Sequence, residues 1–213
     1  MKSKRVVFIL LTALSLFVIL TILVLTESTA VQTFNHTLYA PIGGLITPAL
    51  TSTASWISHL THWYSYTPII LLLLLLPRTR MKIGLPLAII LSTSALLGPV
   101  ILKNIFAVER PDINQLVDVV GFGYPSGHSM NAFVFFGVCA ILTLRYSTKK
   151  LPRIGFVAFA IIAILSVGLS RIYLGVHTPT DVIGGYLMGA VVICSGLLIE
   201  DHLKKRSTFE SEE

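Results

Sequence analysis

Residues 6–25 form a run of 20 residues without a single charge. That length matches the roughly 20 helical residues needed to cross a bilayer core of ~30 Å. It also exceeds the apolar stretch of about 7–15 residues in a cleaved signal peptide, so a retained helix is expected despite Ser28, Thr29 and Ala30 behind it. Further apolar runs follow. The second ends in residues 71–76 and begins near Trp56 or Trp63; the others cover about 83–102, 128–144, 154–169 and 182–199. Pro68, Pro86 and Pro99 are places where helices could kink, which membrane proteins tolerate when neighbours satisfy the freed carbonyls. The expected fold is all-α, a six-transmembrane helix bundle forming one membrane domain over residues 1–213, with residues 201–213 as a cytoplasmic tail.

Composition agrees. The chain is 54% hydrophobic and 12% charged, against roughly 25% charged in soluble domains. Disorder requires the opposite balance. Cys139 and Cys194 lie within apolar runs and read as small buried hydrophobes.

Six spans put both termini on one side, and charge says which. Lys2, Lys4 and Arg5, then Arg78, Arg80 and Lys82, then Arg145, Lys149, Lys150 and Arg153, then Lys204, Lys205 and Arg206 all fall on one face. The positive-inside rule makes that face cytoplasmic. The net charge of +6 therefore reflects topology, and no nucleic-acid partner is expected. The connection 27–66 has no Lys or Arg, as suits an outer loop. Its Trp56, Trp63, Tyr64 and Tyr66 fit an interfacial belt, and its His36, His59 and His62, without partners at a motif spacing, read as loop or interface residues.

Lys103, Arg110 and Arg171 break the charge rule, all at outer helix ends. Three segments carry them: Lys103 to Arg110-Pro111; Pro125-Ser126-Gly127-His128; and Ser170-Arg171 to His177 and Asp181. Three cations with little acid favour a polyanion. Guanidinium forks pair with phosphate oxygens, and ammonium adds a point charge. Ser126 is an N-cap type, and Gly127 lets a ligand approach the backbone at a helix start, where free N–H groups favour anions. Pro179 suits a first helical position with Thr178 as cap, which places Asp181 in the first turn and within reach of His177. A carboxylate on one ring nitrogen leaves the other with an exposed lone pair, as a nucleophile needs. His128, with no carboxylate nearby in sequence, suits a proton donor to a leaving oxygen. A metal is not expected, since the cations would repel a divalent ion and carboxylates and cysteines are few.

These segments resemble the type 2 phosphatidic acid phosphatases, or lipid phosphate phosphatases, whose site design is shared with vanadium haloperoxidases and bacterial acid phosphatases. The family pattern matches at Lys103, Arg110, Pro111, Pro125, Ser126, Gly127, His128, Ser170, Arg171, His177 and Asp181, all within residues 103–181. The resemblance implies a haloperoxidase-like core and His177 as the group that takes up phosphorus. It further implies Asp181 as its orienter, His128 as acid, and Lys103, Arg110, Ser126, Gly127 and Arg171 as phosphate holders, with no cofactor. Only thirteen residues separate Pro111 from Pro125, so no outer domain is inserted there. A substrate entering from the bilayer fits: phosphatidic acid, phosphatidylglycerophosphate or undecaprenyl pyrophosphate. Transfer to another alcohol by the same phosphohistidine is the alternative reading. An anion transporter fits less well, because the spans carry few midplane polar residues, and a haloperoxidase fits least.

Overall fold

The computed structural model describes residues 2–59, 62, 65, 67, 68, 71, 72, 75 and 85–209. Among these, regular structure is helical throughout: α1 (Lys2–Leu25), α2 (Thr29–Gly43), α3 (Pro48–His59), α4 (Leu85–Leu96), a π-helical stretch (Leu97–Leu102) that runs into α5 (Lys103–Phe106), α6 (Gly127–Tyr146), α7 (Lys150–Tyr173) and α8 (Pro179–Phe209). Among the described residues, five stretches are long and apolar enough to cross a membrane: Ser3–Leu25, Ile89–Phe106, Gly127–Tyr146, Lys150–Tyr173 and Pro179–Leu203. The chain is a multi-pass membrane protein. Most of the expected second span, with Trp63, Tyr64, Tyr66, Arg78, Arg80 and Lys82, lies outside the described residues.

Lipid-spanning backbone must satisfy its own hydrogen bonds, so uninterrupted apolar runs become helices. α1 presents Phe8, Leu11 and Ile19 outward and buries Ala13 and Phe17. It packs along α8, α8 packs on α6, and α6 packs on α7 and α4. The core they share contains Phe17, Leu91, Leu102, Tyr124, Met130, Val134, Met188 and Val192. Gly185 sets a close approach of α8 to the start of α6, since a Cβ there would meet the Ser126 carbonyl oxygen at 2.5 Å. Small residues serve this purpose between membrane helices.

Two features depart from the sequence expectation. The connection 27–66 contains two helices, α2 and α3, and α3 packs on α7. The third span passes through a π-helical stretch containing Pro99. Proline lacks an N–H and crowds the preceding turn; a widened turn is one local accommodation.

Candidate active site

The helix starts are built as their sequences dictate. Ser126 caps α6, its hydroxyl accepting the Ser129 N–H at 3.4 Å. Pro179 opens α8. Thr178 Oγ1 accepts the Asp181 N–H at 3.2 Å, and Asp181 Oδ2 accepts the Thr178 N–H at 2.8 Å. This reciprocal capping box fixes the carboxylate. The same Oδ2 stands 3.4 Å from Nδ1 of His177, slightly longer than a good hydrogen bond. The Ser126 N–H donates to the Asp181 main-chain oxygen at 2.9 Å and so ties the two helix starts together.

The loop between α5 and α6 closes over this junction. The Gly123 N–H bonds the Val108 carbonyl at 2.7 Å, and the Leu116 N–H bonds that of Leu174 at 3.0 Å. Gly175, at φ +68°, fits beneath it, where a Cβ would lie 2.5 Å from the Ile113 carbonyl oxygen. Arg110 threads the loop. Its Nε donates to Gly121 O at 2.8 Å, its Nη2 to Val120 O at 3.3 Å and its Nη1 to Val176 O at 2.8 Å. The same Nη1 lies 3.5 Å from Nε2 of His177. Lys103 Nζ donates to Phe122 O at 2.6 Å. Arg171, from the end of α7, donates to the Ser58 hydroxyl of α3.

These groups surround a cavity of about 560 Å³ lined by Lys103, Arg110, Gly127, His128, Arg171 and His177, among others. His177 is 1% exposed, Arg171 4% and Lys103 9%. Burial, reinforced by Lys103, Arg171 and Arg110, holds the His177 imidazole well below its usual pKa, so it is neutral at pH 7. Asp181 lies behind His177, away from the cavity wall. Ser126 also lies behind the wall, fully buried, its hydroxyl engaged with Ser129. Of the expected site residues, six therefore meet at the cavity and two stand behind it.

His62, read from the sequence as a loop or interface residue, lies in a bend beyond α3 and belongs with them. It lines the cavity, and its ring centroid is 5.5 Å from that of His128. Sequence spacing carries no signal for this, because residue 62 meets the site only through the packing of α3 on α7.

The family model for the PAP2 superfamily matches residues 82–204. The chain belongs to the PAP2 superfamily. Among curated PAP2 relatives, phosphatidylglycerophosphatase B of Bacillus subtilis is 39% identical over 111 residues, 51% of this chain and 54% of that protein. Undecaprenyl-diphosphatase of Sulfolobus acidocaldarius is 34% identical over 143 residues, 64% of each. The chain thus spans between half and two thirds of the length of these two relatives. The crystal structure of a transmembrane PAP2 type phosphatidylglycerolphosphate phosphatase from Bacillus subtilis superposes with a TM-score of 0.80 at 27% identity, over 91% of this chain and 96% of that one. Aquifex aeolicus LpxE follows at 0.57 and 26%, over 77% and 93%.

Proposed function

We propose that this PAP2 chain is a lipid phosphate phosphatase that works without a metal, through a phosphohistidine, at the extracytoplasmic face of the cell membrane. Both termini are cytoplasmic, and a sixth span completes the bundle. One observation carries the reading: the neutral imidazole of His177 stands between the Asp181 carboxylate and the Arg110 guanidinium, on a cavity also lined by Lys103, Arg171 and His128. The names of the curated relatives, a phosphatidylglycerophosphatase and an undecaprenyl-diphosphatase, support the lipid class.

Asp181 holds the Nδ1 proton and leaves the Nε2 lone pair facing the cavity. Nε2 attacks phosphorus while the bond from phosphorus to the leaving oxygen breaks. The electron pair departs with that oxygen, and His128 supplies its proton. Water then attacks the phosphohistidine, His128 takes the water proton, and the nitrogen–phosphorus bond breaks to return the lone pair to Nε2. Lys103, Arg110, Arg171 and the backbone at Gly127 stabilise the negative charge of the nonbridging oxygens throughout. Ser126 contributes by fixing the helix start. The thirteen-residue loop 112–124 leaves the substrate's tails a route in from the bilayer.

Phosphate release by purified protein tests this on phosphatidic acid, phosphatidylglycerophosphate and undecaprenyl pyrophosphate. Turnover of at least one, abolished in His177→Ala, is expected. No turnover of any, or full turnover by the variant, overturns the reading.

A further inference from the structure

The cavity holds one imidazole that the proposed chemistry leaves unused. His62 and His128 pack edge to face, with rings inclined at 68°. His62 also lies within electrostatic reach of Arg171. Arg171 is anchored from the same side, through Ser58 of α3. Its buried Nε has no hydrogen-bond partner among the described residues. Lys103 and Arg110, by contrast, are fastened to the carbonyls of the 107–126 loop.

If His128 protonates the oxygen that leaves phosphorus, whatever that oxygen carries must sit beside His128, in the part of the cavity that His62 lines. A monoester places there a carbon chain or polyol, which gives an imidazole N–H no anion to meet. A diphosphate places there a second phosphate. The volume of about 560 Å³ falls within the range of sites that enclose whole small ligands, so one phosphoryl group does not fill it.

We infer that His62 and Arg171 form a second anion subsite, which receives the lipid-proximal phosphate of an isoprenyl diphosphate and favours diphosphates over monophosphates. The inference rests on the reading of His177 and His128 given above. In the reaction, Nε2 of His177 bonds to the terminal phosphorus, the bond from that phosphorus to the bridging oxygen breaks, and the bridging oxygen leaves as part of the lipid monophosphate. His62 donates a hydrogen bond to a nonbridging oxygen of that leaving phosphate, and the Arg171 guanidinium bridges the two phosphates, donating to nonbridging oxygens of both.

The test compares kcat/KM on farnesyl diphosphate and farnesyl phosphate, which share one chain, for the full-length protein, His62→Ala and His62→Gln. A hydrogen bond to a charged group lost at His62 should lower the diphosphate-to-monophosphate ratio by about 10- to 100-fold in His62→Ala. His62→Gln, which keeps an N–H donor, should recover part of it. An unchanged ratio, or equal loss on both lipids in both variants, overturns the subsite while the phosphatase reading stands. Wild-type turnover of the monophosphate alone does the same. Wild-type turnover of neither farnesyl lipid overturns the subsite; the phosphatase reading falls with it only when phosphatidic acid, phosphatidylglycerophosphate and undecaprenyl pyrophosphate are also left intact.

Discussion

Nη1 of Arg110 lies 3.5 Å from Nε2 of His177, although the two residues are 67 positions apart in sequence. One nitrogen of the fork therefore faces the lone pair proposed to attack, while the other two are bound to Gly121 and Val120. Lysine cannot reproduce this, having one charged nitrogen and no fork. Arg110→Lys should lower kcat/KM by about tenfold or more, with a modest fall in melting temperature from the lost bonds to the loop carbonyls. Steady-state phosphate release and thermal unfolding in detergent check both halves, and wild-type kinetics in the variant would argue against a phosphate contact.

Asp181 does two jobs through one oxygen, capping α8 and facing Nδ1 of His177. Asp181→Asn keeps the cap's acceptor but removes the charge that selects the tautomer. A fall in kcat of roughly 10²–10⁴ is expected, with the protein still inserted and monodisperse. A loss below threefold would show that His177 needs no orienter.

The buried, cation-flanked His177 keeps its neutral form below its ordinary pKa. Attack requires that form, so the acid limb of kcat/KM should lie below about pH 6.5. Burial is the first cause and Lys103 the second. Lys103→Met should therefore move the limb of its residual activity upward. A wild-type limb above 6.5, or a downward shift in the variant, contradicts the assignment.

Much of this site was legible in the sequence, and the reasons are local. Ser126 and Pro179 sit where a cap and a first helical residue belong, so the starts of α6 and α8 follow from residue type alone. The three motifs carry Lys103, Arg110, Gly127, His128, Arg171 and His177, which the structure brings to one cavity. α2 and α3 escaped, because Thr-, Ser- and His-containing stretches give little hydropathy contrast. His62 escaped with them, as did the contact of Asn35 with the start of α8, where Thr180 N–H donates to Oδ1 and Nδ2 donates to Thr180 Oγ1, each at 3.0 Å. Such contacts depend on tertiary packing, which no spacing encodes. The apolar runs understated the helices at their polar ends: α7 extends from Lys150 to Tyr173 and α8 to Phe209.

Gly185 lets α8 press against the start of α6. Gly185→Ala must push the Ser126 carbonyl aside, at a cost of about 1–3 kcal/mol. A lower melting temperature together with weakened turnover is the expected pair, since Ser126 is also bonded to the Asp181 backbone. An unshifted melting curve would mean the helices can separate freely there.

Orientation and metal use have direct checks. Asp118→Cys, in the loop over the site, should be labelled from outside intact cells by an impermeant thiol reagent; labelling only after lysis would invert the topology. Phosphate release should persist in excess chelator, and loss that an added divalent ion restores would return metal to the mechanism.

Lys103, Arg110 and Arg171 act on one another electrostatically around one cavity. Mutual repulsion among them is relieved by any small oxyanion, including the one the reaction liberates. Inorganic phosphate at a hundred times its dissociation constant would then stabilise the fold by about 2.7 kcal/mol. In the proposed reaction the attraction that would capture a headgroup would also slow the escape of the detached anion, so phosphate on the extracytoplasmic side would act as a brake on turnover.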